Sequence, residues 1–234
     1  MTLAHPFASE RALKIGLSQS KGGVGKSTAA INLAGAAAQV GDRVLLIDAD
    51  PQKSVLSWHR RGGSIATVEM TPKAVPNGIS QYAASYDMIV VDMAGADSAE
   101  QTLIIEAVDA VLCPLDNPWL ATAPAVNSLI RARARGKPAR IFLSRIHTAA
   151  SESRLTRVRG LIEIFVENEW KRREWDRSDA VIMNSIIRDR VPVADAIGVG
   201  KTVFETKAAA MSATEYKALL LEVRALLIRE KVKS

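Results

Sequence analysis

Three clusters in this chain are spaced for phosphate chemistry: Lys21-Gly22-Gly23-Val24-Gly25-Lys26-Ser27-Thr28, then Asp48-Ala49-Asp50-Pro51-Gln52, then Asp92 closing the run Tyr86-Asp87-Met88-Ile89-Val90-Val91. The first lies between an apolar run, Ile15-Gly16-Leu17-Ser18, and an alanine-rich segment from Ala29 to Gln39 broken only by Gly35. Strand, glycine loop and helix is the setting that a phosphate-binding loop requires. Glycines let the backbone turn tightly and bring its N–H groups against phosphate oxygens. The helix opening near Lys26 adds unpaired amides and the positive end of its dipole. Lys26 then supplies a point charge to the β/γ-phosphates, and Ser27 a hydroxyl for Mg²⁺.

The elements around these clusters are predicted to bring them to one edge of a sheet. Arg43 to Asp48 reads as a buried parallel strand, and Asp48 and Asp50 stand at its carboxyl end, where a doubly wound sheet keeps its ligands. One of these carboxylates can hold Mg²⁺ through water while the other positions an attacking water. Tyr86 to Asp92 is a second such strand, whose terminal carboxylate falls near the metal, and Gly95 lets the following loop approach the γ-phosphate. Further strands are expected at Ile65–Met70, Ala110–Leu115, Ala139–Ser144 and Ala180–Asn184. Helices are expected at Ser54–Arg61, Gly78–Ser85, Ser98–Val108, Ala121–Arg135, Ser151–Trp175 with a partial break at Gly160, and Thr214–Arg229. The alternation implies an α/β fold, a mostly parallel sheet flanked by helices on both faces. In the long basic helix, Leu155, Val158, Leu161, Ile162, Phe165 and Val166 form the expected core stripe. In the last helix, Tyr216, Leu219, Leu220, Val223, Leu226 and Leu227 do the same.

Lys21, a second lysine at the front of the loop, is one more than a phosphate loop needs. With it the chain resembles the deviant-Walker-A ATPases of the ParA/MinD type, whose motif is KGGxGK[ST], and among them the small plasmid-partition proteins of ParF type. The resemblance implies a P-loop NTPase fold and an ATP- and Mg²⁺-dependent ATPase, weak without its partner. It implies that Lys21 reaches across a homodimer to the partner's nucleotide. It also places Asp50 as the hydrolytic residue, since DxDPQ follows the loop in this family, with Asp48 its support at the metal beside Ser27 and Asp92. Lys21, Lys26 and Asp50 are thus the expected catalytic set, and Lys21 through Thr28 the ATP loop. Met93-Ala94-Gly95 is close to the Gly-Ala-Gly of relatives, and Gly198 to Glu205 resembles their Gly-x-x-Val-Phe-Glu. Arg188 and Arg190 fall where partition ATPases carry arginines for non-specific DNA. Two departures stand out: Ile187 replaces the usual proline, and no asparagine sits at Ser144-Arg145 to contact the base. A ParB-like or centromere-binding activator, and a cytoplasmic, nucleoid-associated location in the ATP state, complete what the resemblance implies.

Composition agrees and excludes several classes. With 234 residues, 48% hydrophobic and 24% charged, the chain suits one globular domain, expected over residues 13–234 behind a short tail at 1–12. The opening residues read as neither a secretory signal nor a helix-turn-helix, and no apolar run is long enough to cross a membrane. A basic end to the last helix suggests a MinD-like membrane contact, but its apolar stripe reads as core, so a membrane partner is not expected. One cysteine, Cys113, rules out an internal disulfide, fits a reducing cytosol and a buried strand, and leaves an iron–sulfur carrier without its cysteine pair. A ligase or amidotransferase on this fold would need a polar substrate cluster that the sequence lacks. The net charge of +6 is uneven: Arg131 to Arg190 holds fifteen basic and eight acidic residues, an excess of seven that suits a polyanion. The rival reading keeps the ATP switch but positions a protein cluster or recruits a DNA-transfer complex.

Overall fold

The computed structural model describes residues 12–95, 99–116, 118–173 and 181–233. The expected tail therefore lies almost wholly outside the described residues.

Seven parallel strands run β1 Leu13–Leu17, β2 Val44–Ala49, β3 Ala66–Glu69, β4 Met88–Met93, β5 Ala110–Leu115, β6 Ala139–His147 and β7 Ile182–Asp189. Their spatial order is β3-β2-β4-β1-β5-β6-β7. The burial patterns explain it. Strands β2, β4 and β5 are buried at every position, as continuous apolar runs must be when helices cover both faces of a parallel sheet. Edge strand β7 alternates instead, and edge strand β3 has no buried position. The chain leaves β1 toward β2 on one side and returns to β5 on the other, and ligands of such sheets bind where the order reverses.

Eight α-helices are described: α1 Lys26–Gln39, α2 Ser54–Arg60, α3 Val75–Tyr82, α4 Ala99–Ala107, α5 Pro118–Arg133, α6 Glu152–Arg173, α7 Val191–Gly198 and α8 Ala210–Lys233. One core lies between the sheet and α3, α4, α5 and α6, and a second between the sheet and α1, α2, α7 and α8. All six apolar residues expected to line the last helix are buried there, and Cys113 is buried in β5. The Gly198–Glu205 segment docks on α1 through Asn32, whose Oδ1 accepts the Val203 amide at 2.9 Å.

Four expectations change. Helix α3 starts at Val75 rather than Gly78, because Pro76 in the first turn suits a helix start. Strand β7 runs on to Asp189 where a loop was expected after Asn184, with Ile186 registered against Leu143 and Arg188 against Ile146. Gly160 does not break α6, which continues through it. The core stripe of α6 is Leu155, Val158, Ile162, Val166 and Trp170, leaving Leu161 and Phe165 exposed. The apolar run 161–166 wraps too much of the helix for a single contact with α5 and the sheet to cover.

Side chains from both layers blunt the β7 edge. Glu222 accepts the Asn184 and Ser185 amides, Glu215 accepts the Arg188 amide, and the Arg159 guanidinium donates to the Met183 and Asn184 carbonyls. Backbone groups so occupied are poor templates for another strand.

Candidate functional site

The loop between β1 and α1 adopts the geometry its glycines permit. Gly23 and Gly25 have φ of 76° and 88°. A Cβ at Gly25 would also stand 3.2 Å from the Ser144 hydroxyl and 3.3 Å from Arg145 Cδ, so the position excludes side chains twice over. Gly25 is the N-cap of α1 and no side chain bonds the helix's first amides, which leaves them for an anion. Lys26 is buried at the base of this loop, and Ser27 and Thr28 face a cleft of about 840 Å³.

The three aspartates converge but differ in state. Asp48 and Asp92 are register partners on β2 and β4. Both Asp48 oxygens accept backbone amides, Oδ1 from Asp50 at 3.2 Å and Oδ2 from Leu56 at 2.8 Å, so Asp48 braces the turn that carries Asp50 and starts α2. Asp50 itself lines the cleft, its Oδ1 accepting the Gln52 amide at 2.9 Å. Asp92 is buried, and neither of its oxygens meets a donor at bonding distance. Burial pushes its carboxyl up to about 7, against the Ser27 hydroxyl and the Lys26 ammonium, which favour the charged form. A buried carboxylate with no donor other than a nearby serine hydroxyl presents oxygen atoms alone, which suit a hard cation. The structure thus separates two residues that the sequence treats alike: Asp92 offers free oxygens, whereas those of Asp48 are engaged.

This state has a pH consequence in the nucleotide-free protein. Folded Asp92 holds its proton from the ordinary carboxylate range up to about 7, where the unfolded chain has already lost it, so stability falls as pH rises across that interval. Each unit of upward shift costs ~1.4 kcal/mol above it. Asp92→Asn is expected to be more stable than wild type in chelator, by a margin that grows with pH and levels off above about 7. Thermal unfolding across that range checks this, and a margin independent of pH would count against the burial effect.

Lys21 does not point into the phosphate site. Its Nζ sits 3.0 and 3.2 Å from the two oxygens of Asp116, just past β5. Gln19 ties the same corner by donating to the Pro114 carbonyl at 3.2 Å. A Cβ at Gly95 would lie 3.2 Å from the Ser20 carbonyl and 3.3 Å from that of Gln19, so the loop after β4 closes on the base of the phosphate loop.

The far wall of the cleft holds the two expected arginines. Arg188 donates its Nη1 to the His147 and Ala150 carbonyls, at 3.1 and 3.2 Å. Arg190 Nη1 bridges both Glu215 oxygens at 2.8 Å, with its side chain only 17% exposed. Both line the cleft, and each is partly buried. The strand extension responsible for this was invisible in the sequence. The sequence reading also missed Arg145 as a site residue. It adopts a left-handed backbone, φ 52°, donates its Nη1 to the Gly23 carbonyl at 2.7 Å, and lies 3.7 Å from Asp189. Only its place just beyond the expected strand end could have pointed to it.

Residues 15–197 match the family model of the CobQ/CobB/MinD/ParA nucleotide binding domain. The chain belongs to this family. Among similar curated proteins, the maintenance of carboxysome distribution protein A of Gloeobacter kilaueensis is 34% identical over 150 residues, 60% of this chain and 69% of that protein. The chromosome-partitioning ATPase Soj of Thermus thermophilus is 36% identical over 132 residues, 51% of each chain. Among solved structures, the septum site-determining protein MinD of Pyrococcus horikoshii, complexed with Mg-ADP, aligns with a TM-score of 0.68 at 16% identity, over 91% of this chain and 96% of that one.

This member of the MinD/ParA group is an ATPase of the partition or positioning type, built on the P-loop fold. Burial in β5 pushes the Cys113 thiol up to about 12, which keeps it protonated at neutral pH. No helix among the described residues is long and apolar enough to cross a membrane.

Proposed function

We propose that this MinD/ParA-type ATPase is a partition switch. It binds ATP with Mg²⁺, pairs with a second copy across the nucleotide, holds DNA without sequence preference in that state, and hydrolyses ATP when a ParB-like or centromere-binding activator engages it. The carrying observation is Lys21, a lysine beyond the needs of the phosphate loop, held at the cleft rim by Asp116 rather than at the phosphate site. In this reading Lys26 and the uncapped amides of α1 bind the phosphates, and Asp50 takes up and orients the attacking water. Ser27 and Asp92 hold the metal, with Asp48 bracing the turn beside them. The metal, when bound, offsets charge on the phosphate oxygens. Turnover is slow until the activator completes the alignment of the water.

Lys21 can act on a partner's nucleotide only after leaving Asp116. Lys21→Ala is expected to keep nucleotide binding but lose the ATP-dependent dimer, and Asp116→Asn to form that dimer at lower concentration. Sedimentation velocity with ATP or ADP decides, and a normal Lys21→Ala dimer would remove the proposed role.

DNA is the proposed partner because of the basic excess between Arg131 and Arg190. Arg188, bonded to carbonyls rather than a carboxylate, is the DNA candidate, and Arg190 serves the Glu215 pair instead. Binding of random duplex DNA with ATP, with ADP and without nucleotide, at two salt concentrations, tests the reading. ATP-dependent, salt-sensitive binding lost in Lys26→Ala supports it, and dimers that ignore DNA in every state overturn it. A second reading follows from the Gloeobacter relative, whose name concerns carboxysome distribution: the same cytoplasmic, nucleoid-riding cycle carries a protein cluster rather than a plasmid.

A further inference from the structure

Helix α6 buries one face and leaves the opposite face apolar in its middle. Leu161, Ile164 and Phe165 are 36%, 57% and 51% exposed. Their i, i+3, i+4 spacing puts them on one side of the helix. Arg157 stands one turn before Leu161 on the same side and Arg154 one turn before that, both exposed and without an ion pair among the described residues. Lys171 and Arg172 close the far end, but Lys171 is paired with Glu167 at 3.1 Å and Arg172 with Glu169 at 2.6 Å. The stripe therefore has an apolar centre, an open positive end and a neutralised end.

We infer that this face docks an amphipathic helix of a partner protein, with apolar residues laid on Leu161, Ile164 and Phe165 and carboxylates set against Arg154 and Arg157. Three large side chains ridged along a helix are the anchors such a pairing uses, and the open arginines fix its direction. DNA is a poor fit, because phosphates would cover Ile164 and Phe165 without any apolar contact. A lipid surface is a poor fit as well, because Glu163 and Glu167 flank the stripe and the positive charge is confined to one end. A second copy laid antiparallel would set Arg154 and Arg157 against an end whose carboxylates, Glu167 and Glu169, are already paired with Lys171 and Arg172, so the arginines would gain no partner there. The inference is independent of the nucleotide cycle. Because α6 departs from the ligand edge of the sheet after β6, its positive end lies toward the cleft rim.

The test uses the full chain and a synthetic helical peptide of ~18 residues, about 27 Å long. The peptide carries leucines at i, i+3, i+4 and i+7 and glutamates along both flanks, and a control peptide replaces the glutamates with lysines. Fluorescence anisotropy should show the acidic peptide binding wild type and the basic one not. An Ile164→Ser, Phe165→Ser double variant should bind at least about tenfold more weakly, the loss expected when a central anchor is removed. Arg154→Glu with Arg157→Glu should reverse the preference between the peptides. All these positions are exposed, so circular dichroism and nucleotide binding should match wild type. Equal binding of both peptides, or none, overturns the inference. So does loss of binding to anionic phospholipid vesicles or duplex DNA in the serine variant, or a shift of its oligomeric state, since each assigns the face to another occupant.

Discussion

Replacement of Lys26 by alanine is expected to abolish ATP turnover and to weaken nucleotide binding, while leaving the fold in place. Lys26 is buried at the mouth of α1, and in the proposed function its ammonium is the charge that the loop directs at the phosphates, since the other loop lysine is occupied by Asp116. In a water-poor site a fixed cation is worth more than in solution, and removal of one such donor costs about 10²–10³ in rate. The ammonium also favours the charged form of Asp92, so its loss raises the cost of ionising that carboxylate and weakens the proposed metal site with it. Turnover measured beside fluorescent-nucleotide binding checks both effects. Turnover within a few-fold of wild type would mean that the α1 amides carry the phosphate site alone.

Asp50→Ala is expected to separate binding from hydrolysis. Asp50 lines the cleft and makes one short backbone contact, to the Gln52 amide, whereas Asp48 beside it is committed to two. Removing Asp50 should lower turnover by about 10²–10⁴, the range lost with a positioned proton acceptor. ATP binding should persist, and the ATP-bound dimer should accumulate and hold DNA longer. Single-turnover kinetics beside a dimer assay distinguish this from collapse of the turn. Asp48→Ala should instead lower stability and turnover together, because it removes the acceptor for both the Asp50 and Leu56 amides. Similar phenotypes in the two variants would sink the division of labour between them.

The phosphate loop, the two carboxylate strands and the order of helices and strands were legible because each depends on local pattern. Continuous apolar runs mark the buried strands, and glycines flanking a lysine mark a backbone that must turn and bind. Where the sequence misled, the cause was a choice that local pattern leaves open. The run Leu161 to Val166 fits a core stripe on more than one side, and only the position of α5 decided that Ile162 and Val166 go in while Leu161 and Phe165 stay out. Ile186 and Ile187 suit a loop or a strand, and pairing with β6 decided for strand, carrying Arg188 and Arg190 into the cleft wall.

What the sequence determined by itself is the chemistry on offer: a phosphate cradle, acids at the ends of neighbouring strands and a spare lysine. These follow from residue type and spacing along a few turns of chain. The tertiary structure alone decided the state of each group. Lys21 and Asp116 are 95 residues apart and Arg190 and Glu215 are 25 apart, yet both pairs set whether a cation is free to act. The isolation of Asp92 likewise comes from being enclosed by strands and a loop from distant parts of the chain. Charge state and availability depend on what the fold places within a few ångströms, and separation along the sequence carries no record of that distance.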